Sequence, residues 1–86
     1  MLIKKKIWPA AFDAILERKK KFELRLADFE CKPGDTLLLE EWDPKLEHYT
    51  GRKIQKRVTY VLKTKDVTFW TQEDVEKYGF QILSLE

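Results

Sequence analysis

Thiol and imidazole chemistry is nearly absent from this sequence, which holds one cysteine, Cys31, and one histidine, His48. A lone cysteine excludes an internal disulfide, and small domains without disulfides belong to reducing compartments. Zinc and similar ions need several His or Cys ligands at short spacing, so no metal site is expected. Asp28, Asp35 and Asp43 are scattered over turns and do not form a calcium loop. Three glycines are too few for a phosphate-binding loop, which argues against P-loop nucleotide hydrolysis. A Ser-His-Asp set would have to use Ser84, at the edge of the chain. A Cys31–His48 nucleophile pair is outweighed by a plainer assignment, a half-buried cysteine before a turn and a surface histidine. No cofactor is expected. The opening Met-Leu-Ile-Lys-Lys-Lys has no apolar run long enough for a signal peptide or a membrane span, so a cytoplasmic protein is expected.

What is present suits one small domain over residues 1–86, with no repeat, linker or low-complexity tract. Hydrophobic residues at 43% and aromatics at 13% can fill a compact core and argue against disorder. Charge is distributed in blocks. Residues 1–25 carry eight Lys/Arg against three acids, and residues 52–65 carry six with no acid. Residues 26–51 and 66–86 are correspondingly acidic. Folding that joins the two basic blocks would create one cationic face.

Leu2 to Ile7 reads as a strand. Pro9 suits a helix first turn, and Phe12, Ile15 and Leu16 recur at helical spacing after it. From Lys20 to Leu26 the period is two, with Phe22, Leu24 and Leu26 expected inward and Lys21, Glu23 and Arg25 outward. Pro33-Gly34-Asp35 marks a turn before a strand from Thr36 to Trp42. Asp43 to Gly51 reads as a polar loop and Lys53 to Lys63 as a long strand. Thr71 and Asp74 resemble a helix N-cap, with Gly79 placed to stop that helix and Phe80 to Leu85 as a last strand. The expected order β-α-β-β-β-α-β gives an α+β fold, a mixed or antiparallel sheet curled into a small open barrel with two short helices.

The densest functional candidate is Arg18-Lys19-Lys20-Lys21-Phe22-Glu23-Leu24-Arg25, a helix end running into a strand that bears both charge signs. Lys20-x-x-Glu23-x-Arg25 resembles the signature of the ASCH family of the PUA-like superfamily, Gly-x-Lys-x-x-Glu-x-Arg, with Arg18 in place of the leading glycine. A small uncharacterised ASCH-like branch common in bacteria and their phages is resembled more widely. Lys6-Ile7-x-Pro9-x-x-Phe12, Asp28, Gly34-Asp35 and Leu39-x-Glu41 fit it. So do Tyr49-Thr50-Gly51-Arg52, Val58-Thr59-Tyr60-Val61 and Gly79-Phe80-x-Ile82-Leu83. Phe29 and Cys31 stand where that branch often has arginine and an aromatic residue.

The resemblance implies a PUA-like open barrel that binds RNA or a modified base in a cleft lined by Lys20, Glu23 and Arg25. Lys4 to Lys6, Lys56 and Arg57 would extend that surface through phosphate contacts. Trp8, Trp42 or Tyr60 offers stacking, although a core role outweighs it for Trp8, Trp42 and Trp70. The expected nucleic-acid site is therefore Lys6, Trp8, Lys20, Glu23, Arg25, Lys56 and Arg57. If the chain is an enzyme instead, Lys20 and Glu23 are the catalytic candidates, in an RNA-directed ribonuclease or in a nucleoside amidohydrolase. The hydroxyl-bearing threonine of the ASCH amidohydrolases is replaced here by Glu23. A third reading is a protein-interaction or regulatory module that docks through the acidic segment Glu40 to Glu47.

Overall fold

The computed structural model describes all 86 residues. Strand β1 (Leu2–Ile7) leads into helix α1 (Pro9–Leu16), and strands β2 (Thr36–Asp43) and β3 (His48–Arg57) form a hairpin. A 3-10 turn at Thr64–Asp66 precedes helix α2 (Gln72–Tyr78). The three strands make one mixed sheet, ordered β1-β2-β3, with β1 parallel and β3 antiparallel to the central β2. The parallel pair needs a crossover, which α1 begins, and α1 packs back on β2. Ile7, Phe12, Ile15, Leu37 and Leu39 form the buried core between helix and sheet.

Helix α1 ends as a Schellman motif. Lys19 N–H donates to the Ala14 carbonyl and Arg18 N–H to the Ile15 carbonyl, at 2.9 and 3.0 Å. That geometry needs a left-handed residue after the C-cap, and Arg18 supplies it at φ 62°. The ASCH pattern has glycine there, the residue that adopts this conformation without a Cβ clash. Helix α2 behaves as its sequence predicts. Thr71 Oγ1 accepts from Asp74 N–H at 3.1 Å, and Gly79 stops the helix at φ 66°.

Several expectations are corrected. Residues 20–35 form no strand, because the segment from Lys20 to Leu26 finds no backbone ladder partner. The alternation there is also inverted: Glu23 is 14% exposed at its side chain, while Leu24 and Leu26 are 64% and 81% exposed. The polar loop from Asp43 to Gly51 shrinks to a tight turn. Asp43 Oδ1 accepts from the N–H groups of Lys45 and Leu46, and the strand resumes at His48. Thr50-Gly51 belongs to a β-bulge, where Gly51 at φ 95° absorbs a register shift between Glu40 and Trp42. The long strand ends at Arg57, after Val58 exchanges backbone hydrogen bonds with Gly34 and Asp35. Phe80 to Leu85 pairs with no strand, and the sheet is not closed into a barrel.

Beside the bulge lies a buried ionic clasp. Glu41 is 3% exposed, and its carboxylate accepts from Arg52 Nε at 2.8 Å, Arg52 Nη2 at 2.5 Å and Thr50 Oγ1 at 2.5 Å. Arg52 Nη2 also donates to Asp13 Oδ1 on α1 at 2.8 Å, and its guanidinium lies 4.5 Å from the Phe12 ring centroid. The clasp thus fastens helix, central strand and hairpin through one guanidinium. The hydrogen bonds from Arg52 and then Thr50 hold the Glu41 carboxyl at about 2, against an ordinary 4.5. Asp35, also buried, is lowered in the same direction by the Lys32 N–H and then by the Met1 ammonium 3.1 Å away.

Two outcomes are expected. Because the folded carboxyl stays ionised while the unfolded one protonates, the clasp is fully stabilising above about pH 4.5. Its contribution is lost as the pH falls from there toward about 2. In denaturant unfolding repeated down this pH range, Glu41→Gln should flatten the acid limb; parallel acid limbs in wild type and variant would place the sensitivity elsewhere. Separately, Arg18→Gly should stabilise by about 1 kcal/mol, the lower bound of the left-handed cost for a residue with a Cβ. Thermal denaturation reads this as a Tm rise of about 4–8 °C. A lower Tm would mean that the Arg18 side chain contributes more than its backbone costs.

Candidate functional site

The floor of one open cleft is the edge of the core, where Ile15, Leu37 and Leu39 meet open space of about 620 Å³. One wall is the segment after α1, from Lys20 to Cys31, and the other is the segment leaving β3, from Lys56 to Lys63. Apart from Lys56 and Arg57, which end β3, neither wall is strand, so most of their side chains are not committed to a closed sheet interior. Arg18, Lys20, Lys21 and Arg25 come from the first basic block; Lys56, Arg57 and Lys63 come from the second. The two blocks thus meet around one apolar floor, with Glu23 as the single acid among the lining residues.

Glu23 organises the first wall. Lys20 Nζ donates to Glu23 Oε1 at 3.4 Å, and Arg25 Nε donates to Glu23 Oε2 at 2.8 Å. Arg25 Nη2 reaches across to the carbonyl of Lys6 and so ties this wall to β1. Two cations held by one carboxylate leave a net positive, preorganised pair facing the cleft. Each Glu23 oxygen accepts one of these hydrogen bonds, so a ligand donor reaching Glu23 would share the carboxylate with Lys20 and Arg25. The i, i+3 and i, i+2 spacings of Lys20-x-x-Glu23-x-Arg25 are therefore those of a chelated ion-pair cluster on an extended segment.

Of the seven predicted site residues, the structure brings together Lys20, Glu23, Arg25, Lys56 and Arg57. Lys6 and Trp8 lie outside. Lys6 leaves the sheet on the face opposite Ile7, and its ammonium sits 3.8 Å from the Trp42 ring centroid. Trp42 is half-buried and packs edge-on against Tyr49 at 5.0 Å, so Lys6 covers this pair rather than the cleft. Trp8 is the exposed N-cap of α1 and Trp70 is also exposed, which corrects the expectation that both are core. Tyr60 does line the cleft and is exposed, with Phe22 half-buried beside Lys20. Sequence reading missed Arg18, Lys21 and Lys63 as lining residues, although all three belong to the basic blocks. Phe29 and Cys31 also line this wall, and the Lys5 ammonium lies 3.6 Å from the Phe29 ring centroid. No group of three or more His, Cys, Asp or Glu residues is arranged to hold a metal ion. No helix is long and apolar enough to cross a membrane.

A small α+β domain with an open mixed sheet and a cationic, apolar-floored cleft is the class that fold and site define. The chain belongs to the family described as a domain of unknown function (DUF3850), which matches residues 3–83. It is similar to the uncharacterised 12.9 kDa protein in the GpA 3′ region of Escherichia phage P2, at 41% identity over 64 residues. That match covers 74% of this chain and 54% of the phage protein, so the chain spans about half the length of the curated relative it matches. No solved structure matches the chain.

Replacing Glu23 by alanine should release Lys20 and Arg25 into like-charge repulsion. The expected loss is about 1 kcal/mol, a Tm lower by roughly 5 °C, since these side chains are largely shielded from solvent. The Arg25 Nε–H resonance should lose its protection from exchange in the same variant. Retained protection would show that the Lys6 carbonyl alone positions Arg25.

Proposed function

We propose that this chain binds nucleic acid, RNA foremost, in the cleft between the post-α1 segment and the end of β3. The observation that carries the reading is the convergence of seven cations and one acid around an apolar floor, from basic blocks roughly thirty residues apart. Phosphates supply the matching anions, and each lysine or arginine contact adds salt-dependent affinity. The cleft also contains aromatic surface at Tyr60 and Phe22, on which an unpaired base can stack. Glu23 acts here by fixing Lys20 and Arg25, which assigns it a positioning role in place of direct base recognition.

The likeness of Lys20-x-x-Glu23-x-Arg25 to the ASCH motif supports the same reading. The PUA-like barrel belongs to this proposal as well. The segments expected to be strands, around Phe22 to Leu26 and Val58 to Leu62, both line the cleft, where further strand pairing would close the sheet. Acid–base hydrolysis is the second outcome to watch.

The test is titration of the folded protein into labelled single-stranded RNA, tRNA and duplex DNA at two salt concentrations, with the nucleic acid inspected for cleavage afterwards. Lys20→Ala/Arg25→Ala should weaken RNA binding about tenfold and reduce the slope of log K against log salt by roughly 1.4, two single-strand phosphate contacts. Unchanged affinity in a well-folded double variant would falsify the cleft as the binding site. Cleavage lost in that variant would replace a binding module by a hydrolase.

A further inference from the structure

The segment from Asp66 to Glu86 carries five acids and one lysine, and none of the five acids makes an ion pair. Within the same segment Phe69, Trp70 and Phe80 stack edge to face, with centroids 5.6 and 6.0 Å apart. Trp70 and Phe80 stay about half exposed, and Phe69 is 84% exposed. A hollow of about 430 Å³ opens beside them, between Trp70, Val75, Tyr78 and Phe80. Exposed aromatic clusters of this kind mark interaction surfaces, and their charged rims select the partner by sign. The complement required is apolar at its centre and cationic at its edge.

The chain carries that complement itself. The cleft has an apolar floor, and five of its lining cations, Arg18, Lys21, Lys56, Arg57 and Lys63, are in no ion pair. No residue beyond Lys63 lines the cleft, so the acidic tail does not fill the cleft of its own molecule. Its end is tethered alongside, where Lys21 N–H donates to Ser84 Oγ at 2.7 Å. Both surfaces are therefore open at once on one chain.

We propose that the chain self-associates, the Phe69–Trp70 edge of one copy seating in the cleft of a second, with tail acids facing the free cleft cations. Two copies satisfy it reciprocally as a two-fold dimer, each tail in the other's cleft, so the assembly is closed and the interface isologous. This does not rest on nucleic-acid binding, but it uses the same cleft, so RNA and the second copy compete.

Sedimentation velocity tests it. Wild type should dimerise at about 100 µM protein and about 50 mM salt, and should weaken at least tenfold at roughly 500 mM salt as the facing charges are screened. Trp70→Ala/Glu76→Lys should be monomeric, and so should Lys56→Glu/Arg57→Glu. Mixed one to one, the two variants should recover a dimer, because the mixture holds one intact cleft and one intact tail. Wild type that stays monomeric at low salt, association that either variant leaves unchanged, or a mixture that stays monomeric overturns the proposal. Should a variant unfold, the Trp70 indole N–H resonance of wild type must still shift with protein concentration; a fixed position overturns the contact. The nucleic-acid reading is scored apart from this, in titrations at roughly 1 µM protein where the dimer is dissociated. There the tail variant should bind RNA like wild type, while the cleft variant should lose both activities.

Discussion

The Arg52 guanidinium holds three parts of this small structure in register. It neutralises Glu41 on the central strand, reaches Asp13 on the helix and lies over Phe12 in the core. A carboxylate as buried as Glu41 would be costly without a charged partner and saturated hydrogen bonds, and Arg52 with Thr50 provides both. The bulge at Gly51 makes the geometry possible, because the extra residues in β3 bring Thr50 and Arg52 onto one carboxylate. With only five hydrophobic residues buried, the core by itself leaves α1 weakly located. The clasp compensates, and the position of α1 sets where the post-helix segment begins. Both cleft walls therefore depend on it, one through α1 and one through β3.

The cleft repeats the same physics in the opposite arrangement. At the clasp one cation serves two acids; at Glu23 one acid serves two cations. The first neutralises a buried group and stabilises the fold, while the second leaves a surplus of positive charge where the chain is open. That surplus is maintained by geometry, since Lys20 and Arg25 cannot relax apart while Glu23 holds them. The Arg25 link to the Lys6 carbonyl extends the tie to β1. An electrostatic field concentrated over an apolar floor suits polyanions and acidic aromatic surfaces alike, which is why the two proposals share one site.

Local signals proved dependable for the helices: α1 was legible in its proline placement and apolar spacing, and α2 in its Thr71 cap and Gly79 stop. Leu2–Ile7 was also read correctly as a strand, although its partner β2 lies 34 residues on. Elsewhere legibility failed where partners were remote. The alternation of Phe22, Leu24 and Leu26 announced an inward apolar face, yet Glu23 is the better buried residue, because its two cations neutralise it and no ladder turns the leucines inward. Thr50-Gly51 carried a loop signal, but a glycine at positive φ serves a bulge as well as a turn, and only pairing with β2 distinguishes them.

By itself the sequence determined the α+β class, the start of α1 and both ends of α2, because proline placement, apolar spacing and capping residues are local signals. It also set the block distribution of charge from which a cationic face could be anticipated. Only the tertiary structure decided that Lys56, Arg57 and Lys63 join the first basic block, that Lys6 turns away to cover Trp42, and that Glu41, Arg52 and Asp13 share one clasp. These are contacts between segments separated by eleven to about forty residues. Their formation depends on sheet register and helix placement, which no local period encodes.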